Sequence, residues 1–163
     1  MPSHLESIAL DAIDLALLDA LQTDAGQTNQ ALSAQVGVSP PTCLRRVKRL
    51  EDAGLILRRI ALLDGDRLAP RVGHGLQALV EISLDRQDTA SLDAFELRVC
   101  ADDAVQQCWR VSPGPDFVLV VGTRVMPAYR ALAQRLCTAD ANVRHVKAFF
   151  SVKRAKFAPR VVL

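Results

Sequence analysis

The stretch Gln30–Ile56, QALSAQVGVSPPTCLRRVKRLEDAGLI, has the pattern of two short helices joined by a glycine-marked turn. Ser33 is a small residue four positions before Gly37, where the two helices must approach closely, and Gly37 permits the positive φ that a tight turn requires. Ser39 is a good N-cap, and Pro40 suits the first position of the second helix because its missing N–H costs nothing there. This pattern predicts a helix-turn-helix, whose second helix enters the major groove of DNA.

The second helix combines an apolar stripe with a basic arc. We expect Leu44, Val47 and Leu50 to face inward, because they recur at a spacing of three residues. The residues expected to face DNA are Ser39, Thr42, Arg45, Arg46, Lys48 and Arg49. For a charge run alone, the alternative is a surface helix with solvated cations, some of them paired with Glu51 or Asp52. The glycine turn, the Ser-Pro start and the basic arc together favour DNA binding.

The expected roles of these residues differ along the helix. Arg45 and Arg46 are predicted base readers, since a guanidinium group can bind guanine O6 and N7 together. Thr42 can touch a thymine methyl group or a phosphate, and the first N–H groups of the helix suit a phosphate oxygen. Lys48 and Arg49 lie farther along and are predicted to meet the DNA backbone.

Charge is distributed unevenly along the 163 residues, although the net charge is only +2. Residues 1–36 hold five acidic residues and no Lys or Arg, whereas residues 39–59 hold six basic residues against two acidic ones. Residues 145–163 hold five basic residues and no acidic ones. Clustered cations release counterions on binding phosphates, so this distribution favours a nucleic-acid partner.

Cysteine and histidine spacing predicts no cofactor and no metal site. The four cysteines, Cys43, Cys100, Cys108 and Cys137, form no C-x-x-C pair, and His4, His74 and His145 add no zinc-binding spacing. We expect the cysteines to be small buried apolar residues. The chain shows no basic segment followed by an apolar run at its start and no long apolar segment, so we expect no membrane contact and a cytoplasmic location.

Elements on either side of the motif complete the first domain. Leu10–Leu21 has helical apolar periodicity and is predicted as an amphipathic helix with Asp14 and Asp19 on its polar side. Ile56–Leu63 is β-rich and is predicted as a short wing or connecting strand, and Asp64-Gly65-Asp66 is a turn signal.

The rest of the chain is predicted as a compact domain with alternating strands and helices. Predicted strands are Leu76–Leu84, Val105–Val111, Phe117–Val121 and Asn142–Val152, and predicted helices are Ser91–Cys100 and Pro127–Cys137. The order β-α-β-β-α-β is ferredoxin-like. We therefore predict an α+β chain, with a winged helix-turn-helix at residues 1–63, a linker at 64–75 and a ferredoxin-like ligand-sensing and oligomerisation domain at 76–163.

Several segments, in order and spacing, resemble the leucine-responsive regulatory protein family, also called Lrp/AsnC or feast/famine regulators. They are LDAIDLALLDALQTD (10–24), LSAQVGVSPPTCLRRVKRLEDAGLI (32–56), ALLD (61–64), VSPGPDFVLVV (111–121) and TRVMPAYRAL (123–132). The resemblance implies a winged helix-turn-helix joined by a linker strand to an amino-acid-sensing domain. It also implies dimers, commonly assembled into octamers, that bind and often bend operator DNA.

The resemblance further implies an effector site between adjacent dimers, near the loop before the third strand of the sensor and on its last strand. Members that bind small amino acids show a Gly-Asp-aromatic-Asp loop, whereas this chain has Pro113-Gly114-Pro115-Asp116 and keeps only the final Asp. Val146 and Ala148 occupy positions where the family often has threonines. The implied contacts are Gly114, Asp116, Val146 and Ala148, and the apolar wall favours a branched-chain, methionine-like or aromatic amino acid. For Asp116, capping of local N–H groups is the alternative.

The sequence thus predicts a sequence-specific DNA-binding transcriptional regulator that responds to a free amino acid. The expected partners are double-stranded DNA, an amino-acid effector and further copies of the chain in a homodimer or homo-octamer. Because the pocket is altered, a ligand-independent, nucleoid-type DNA-architectural protein remains an alternative. An enzyme lacks support, because the chain has no G-x-S-x-G, P-loop, dinucleotide or H-E-x-x-H motif, although a spatial cluster such as Cys108 with His145 stays open.

Overall fold

The first described part of the chain is a set of three helices, α1 (Ala12–Thr23), α2 (Asn29–Val36) and α3 (Pro40–Asp52). The structure is a computed structural model that describes residues 8–73 and 75–163, so His4 and His74 lie outside the described residues. Asp11 caps α1 in a reciprocal capping box with Asp14, and Thr28 caps α2. The amphipathic helix predicted at Leu10–Leu21 is confirmed and lies two residues farther along the chain.

The turn between α2 and α3 has the geometry of a helix-turn-helix. Gly37 adopts a φ of 71°, and the N–H of Val38 donates to the carbonyl oxygen of Ser33 at 3.0 Å. Ser33 is buried, as expected where the two helices approach closely. Ser39 occupies the N-cap position of α3, but its hydroxyl lies 2.9 Å from the hydroxyl of Thr42 and makes no capping bond to the helix backbone.

The core of these three helices is small and mostly aliphatic. Its buried members are Leu17, Ala20, Leu32, Cys43, Val47 and Leu50. The prediction that Leu44 faces inward is wrong, since Leu44 is 61% exposed and Cys43 takes the inward position. Each residue advances about 100° around a helix, so Cys43, Val47 and Leu50 share one face while Leu44 is turned away from it.

The segment after α3 departs from the prediction. Ile56–Leu63 contains no strand, so the β-structure predicted for this segment does not form in the described chain. A further helix, α4 (Gly65–Val72), forms where a turn and a linker were expected. The side chain of Asp64 accepts a hydrogen bond from the N–H of Arg67 at 3.1 Å, so the residue interpreted as a turn signal acts at the start of a helix.

A four-stranded antiparallel sheet forms the centre of the remaining chain. Its strands are β1 (Leu76–Leu84), β2 (Val105–Arg110), β3 (Phe117–Thr123) and β4 (Val143–Phe150), in the order β2-β3-β1-β4. Two helices complete it, α5 (Thr89–Cys100) and α6 (Met126–Ala133), the latter continued by a π-helical turn at Gln134–Thr138. This order confirms the predicted ferredoxin-like α+β domain.

The helices cover one face of this sheet. Alternate residues of the two central strands are buried beneath them, namely Ala78, Val80, Ile82 and Leu84 of β1 and Phe117, Leu119 and Val121 of β3. Phe95 of α5 packs on Phe117 with ring centroids 4.9 Å apart. Because side chains alternate along a strand, the intervening residues point to the opposite, open face.

The described residues divide into two compact units. One contains residues up to Leu62 together with Ala158–Leu163, and the other is Leu63–Phe157. In the first unit, the side-chain amide of Gln22 hydrogen-bonds both backbone groups of Val161, at 3.2 and 2.6 Å. The predicted domain boundaries, with a linker at residues 64–75, remain a prediction. No helix in residues 8–73 or 75–163 is long and apolar enough to cross a membrane.

Candidate DNA-reading surface and effector site

The outward side of α3 presents two cations without acidic partners. Arg45 and Lys48 are exposed, and neither forms an ion pair within the described part of the chain. Leu44 is exposed on the same helix, and Thr42 is half-buried at its first turn. An exposed guanidinium, an ammonium and an apolar side chain on one helix can bind guanine, phosphate and a thymine methyl group, respectively.

Arg46 and Arg49 do not lie free on this outward arc. Nη1 of Arg46 lies 2.8 Å from Oδ2 of Asp11 and 2.8 Å from Oδ1 of Asp14, and Arg49 pairs with the other oxygen of Asp14. The Arg46 side chain is only 20% exposed. The prediction that Arg46 belongs to the outward arc is therefore wrong, and Arg49 is half-exposed at the edge of that arc.

Asp14 also departs from its predicted place. Its side chain is 1% exposed and faces α3, whereas the periodicity of α1 had placed it on the polar side. The alternative partners considered for the arginines of α3 were Glu51 and Asp52. Of these, Glu51 pairs with Arg59 at 2.7 Å.

The carboxylates of this cluster are stabilised in the ionised form. Burial raises the pKa of Asp14, but the N–H of Asp11 and the guanidinium groups of Arg46 and Arg49 outweigh burial and hold that pKa below its ordinary value. The pKa of Asp11 is lowered by the N–H of Asp14 and by Arg46, and the pKa of Arg46 is raised by Asp11 and Asp14. All three groups are charged at neutral pH, so the ion pairs are intact there.

The basic C-terminal segment also carries exposed cations, which lie outside any helix or strand. Lys153, Arg154 and Lys156 are exposed in irregular backbone, and the guanidinium of Arg154 stacks over the ring of Phe157 at 4.9 Å. Arg160 is already paired, with Asp19 of α1 at 2.6 Å.

The loop between β2 and β3 lies where the effector site was expected. It contains a cis peptide bond between Ser112 and Pro113, and Gly114 adopts a φ of 126° that favours glycine. A Cβ built on Gly114 would meet nothing within 4 Å, so the backbone there is open to an approaching group.

Asp116 ties this loop to the end of β1. Its Oδ2 accepts a hydrogen bond from the N–H of Leu84 at 2.6 Å, and its own N–H donates to the carbonyl oxygen of Ile82 at 2.9 Å. Oδ1 has no hydrogen bond among the described residues. The carboxylate therefore caps a local N–H group, as the alternative interpretation expected, and has one oxygen to spare.

Val146 and Ala148 lie on β4, on the helix-covered side of the sheet. They pair with the buried residues Ile82 and Val80 of β1. Val146 is 37% exposed, and Ala148 packs against the core. Asp116 precedes β3, on the other side of β1, so about two strand spacings, or about 10 Å, separate it from β4. One chain does not gather Gly114, Asp116, Val146 and Ala148 into one cavity.

An apolar surface lies on the open face of the sheet. It comprises Leu79, Trp109, Val118, Val120 and Phe149, which pair with one another across the four strands. Leu79, Trp109 and Phe149 are 45%, 59% and 44% exposed. We call these five residues the open-face patch. Val118 and Val120 lie in the predicted strand Phe117–Val121, but only the strand register brings the other three residues beside them.

Comparison with known proteins identifies both units. Residues 10–56 match the winged helix-turn-helix DNA-binding family, and residues 77–161 match the Lrp/AsnC ligand binding domain. The chain belongs to the Lrp/AsnC family. It is therefore a transcriptional regulator with a DNA-binding helix-turn-helix and a ligand-binding domain. Its homologues are regulators rather than enzymes.

Relatives of this Lrp/AsnC chain match it along nearly its whole length. The leucine-responsive regulatory protein of Rhizobium meliloti is 36% identical over 154 residues, covering 94% of this chain and 96% of the relative. The crystal structure of an AsnC family transcriptional regulator from Agrobacterium tumefaciens has a TM-score of 0.80 and 27% identity, covering 94% of this chain and 97% of that one. A Neisseria meningitidis transcriptional regulator in complex with L-methionine has a TM-score of 0.79 and 28% identity, with the same coverage.

Proposed function

We propose that this Lrp/AsnC regulator reads operator DNA with the outward side of α3, as a homodimer, and that a free amino acid modulates it. The observation that carries the proposal is the pair of uncompensated cations, Arg45 and Lys48, on the second helix of a helix-turn-helix. Arg45 is the proposed reader of guanine and Leu44 of a thymine methyl group, while Lys48 meets the backbone. Ser39 and Thr42 lie at the N-terminal end of α3, where N–H groups suit a phosphate oxygen.

Arg46 and Arg49 have a different place in this proposal from the one the sequence predicted. Their guanidinium groups are engaged by Asp11 and Asp14, so a contact with bases would require those ion pairs to break. We therefore assign both arginines to the support of α3 against α1.

Pairing of two copies through the open-face patch is part of the proposal. A monomer with this face uncovered would expose a contiguous apolar surface of the kind that marks interaction sites. A second copy related by two-fold symmetry supplies a matching surface, and the operator would then contain two related half-sites. Assembly of dimers into octamers and a location in the cytoplasm complete the proposal.

The base-reading assignment has a direct mutational test. The DNA for this test is an operator sequence selected for binding to the wild-type protein. Replacing Arg45 by Ala should weaken binding to that operator about tenfold or more, because each dimer then lacks two bidentate pairs with guanine. The same change should weaken binding to random-sequence duplex much less. Replacing Lys48 by Ala should weaken both and reduce the salt slope by about 0.9 for each phosphate that is no longer neutralised. Fluorescence anisotropy over a salt series measures all of these quantities.

Arg130→Ala is the matched control for these variants. Arg130 is an exposed arginine on α6, outside the DNA-binding unit, and its removal changes the net charge equally. The control should leave the affinity ratio between selected and random DNA unchanged. An equal weakening on both DNAs for Arg45→Ala would show that Arg45 is not a base reader.

The effector is proposed to be an apolar amino acid bound near the Ser112–Asp116 loop. The spare oxygen of Asp116 can accept from an α-ammonium group, Gly114 allows close approach, and Val146 supplies apolar surface. Because these groups do not meet within one chain, the proposed site is completed by a second dimer. The L-methionine complex of the Neisseria relative supports a methionine-like ligand for this chain as well.

Calorimetry with L-methionine, L-leucine and L-phenylalanine tests the effector proposal. Asp116→Asn should lower amino-acid affinity about tenfold or more, because a hydrogen bond between charged groups is removed. The Asn side chain still offers an oxygen to the N–H of Leu84, so the melting temperature should stay close to that of the wild type. Absence of binding by the wild type at millimolar concentrations would favour the ligand-independent architectural alternative.

A further inference from the structure

We propose that Asp11 and Asp14 are positioning residues that withhold Arg46 and Arg49 from DNA and thereby limit binding to random sequence. The inference rests on the proposed DNA-binding function and deepens it. Through these two carboxylates, the N-terminal end of α1 determines how many cations of α3 can contact DNA phosphates. The pairing joins the acidic N-terminal part of the chain to the basic helix of the motif.

The geometry around Arg46 holds its guanidinium in place. Nη1 lies 2.8 Å from an oxygen of Asp11 and 2.8 Å from an oxygen of Asp14, so two carboxylates share one nitrogen. Nε is buried and has no hydrogen-bond partner among the described residues. A buried donor without a partner is costly, so the two ion pairs and not the surroundings of Nε keep the side chain in this position.

Asp14 makes movement of either arginine toward DNA unfavourable. Its carboxylate is almost fully buried, with one oxygen bound by Arg46 and the other by Arg49 and by the N–H of Asp11. If a guanidinium left for a phosphate, part of a buried charge would lose its partner. Asp11 is different, since its side chain is 53% exposed and its pair with Arg46 faces solvent.

The consequence for DNA binding is a reduced effective charge on α3. The helix carries four cations, Arg45, Arg46, Lys48 and Arg49, and two of them are neutralised by α1. Affinity for random DNA depends on the number of phosphates that cations neutralise, whereas base contacts supply discrimination. Withholding two cations therefore lowers non-specific affinity and leaves Arg45 free to discriminate.

Asp11→Asn tests this control with little risk to the fold. Asn is as good an N-cap as Asp, so α1 should still form. Arg46 then keeps only Asp14, which would still be bound by Arg49 and by the N–H of residue 11 if Arg46 left. On a fluorescein-labelled random-sequence duplex at 0.1 M salt, the affinity should rise by up to about eightfold for each additional phosphate that the released arginine neutralises, and the salt slope should steepen by about 0.9 per phosphate. Far-UV circular dichroism verifies folding of each variant.

Asp52→Asn is the matched control. Asp52 is an exposed acidic residue of α3 that forms no ion pair within the described residues, and its removal changes the net charge equally. We expect this variant to leave the salt slope unchanged. A slope that steepens as much as in Asp11→Asn would overturn the inference, because removal of any negative charge would then suffice.

A double-mutant cycle with Arg46→Gln separates release of Arg46 from a general structural effect. In the wild-type background, Arg46→Gln should leave the slope on random DNA unchanged, since Arg46 is withheld. In the Asp11→Asn background, it should abolish the increase in affinity and slope.

Three further outcomes overturn the inference. The first is an unchanged slope in folded Asp11→Asn, and the second is a slope reduced by about 0.9 per phosphate in the single variant Arg46→Gln, which would mean that Arg46 already touches phosphate. The third is a wild-type chain that binds no duplex DNA at low salt, which would overturn the proposed function as well. The first two leave wild-type DNA binding intact, so the two failures are distinguishable.

Discussion

Replacing Asp14 by Ala is expected to lower the free energy of unfolding of the N-terminal helices by about 3 kcal/mol or more, because it leaves two arginines without the buried carboxylate that binds them. In the wild type, the cost of removing Asp14 from water offsets part of its attraction to the two arginines. The expected loss on substitution also contains the cost of leaving both arginines without a partner, so it exceeds the net stabilisation that the ion pairs provide. Hydrogen exchange of the α1 and α3 amides, followed by mass spectrometry, reports the destabilisation in the unit where it occurs.

Asp19→Ala provides the control for this variant. Asp19 lies on the same helix, and its ion pair with Arg160 is exposed at both ends, so its removal should change stability by less than about 1 kcal/mol. Equal effects of the two substitutions would show that the burial of Asp14 has no energetic role.

The effect of Asp14 should also depend on pH in a defined direction. Because the pKa of Asp14 is lowered in the folded chain, its ionisation stabilises the fold above the unfolded pKa of about 3.9, and this contribution is lost as the pH falls through the folded value. The stability difference between wild type and Asp14→Ala should be constant near neutral pH and should shrink only below about pH 4. Urea titrations at several pH values measure this difference.

Local chemistry allowed the helix-turn-helix to be predicted from sequence. Gly37 permits the positive φ that the turn requires, and Ser39 followed by Pro40 is typical of a helix start, so these signals do not depend on distant partners. The contact between Asp14 and Arg46 spans 32 residues, and nothing in the periodicity of α1 indicates it. An amphipathic pattern places a carboxylate on the polar side by default, and only packing against α3 turns that side inward.

The segment after α3 shows why local signals can also mislead. Val and Ile favour strands because they pack against a neighbouring strand, and Ile56–Leu63 has no such neighbour in the described chain. Asp-Gly pairs favour turns, yet an Asp side chain can equally accept from the first N–H groups of a helix, as Asp64 does with Arg67.

The effector residues illustrate a further limit of sequence reasoning. The position of the loop and the backbone freedom of Gly114 followed from local residue types. The hydrogen bond from the N–H of Leu84 to Asp116 spans 32 residues, and only the fold reveals that it occupies half of the carboxylate. The proposed completion of this site by a second dimer cannot be derived from one chain's sequence or from one chain's fold.

Replacing Leu79 by Lys is expected to weaken self-association about a hundredfold or more. Leu79 lies on β1 between Val120 and Phe149 at the centre of the open-face patch, and it is 45% exposed in the single chain. A two-fold interface contains the substitution twice, so even a cost of about 1.4 kcal/mol per copy multiplies to this factor. A buried ammonium group without a partner should cost at least that much, and the nearby Glu81, already opposite Lys147, is the one carboxylate on this face of the described β1.

Sedimentation velocity across a concentration series measures the effect, with Leu97→Lys as the control, since Leu97 is a 77% exposed leucine of α5 on the helix layer. If Leu97→Lys dissociates the dimer while Leu79→Lys leaves it intact, the copies pair through their helices, and the open-face patch must be covered in some other way.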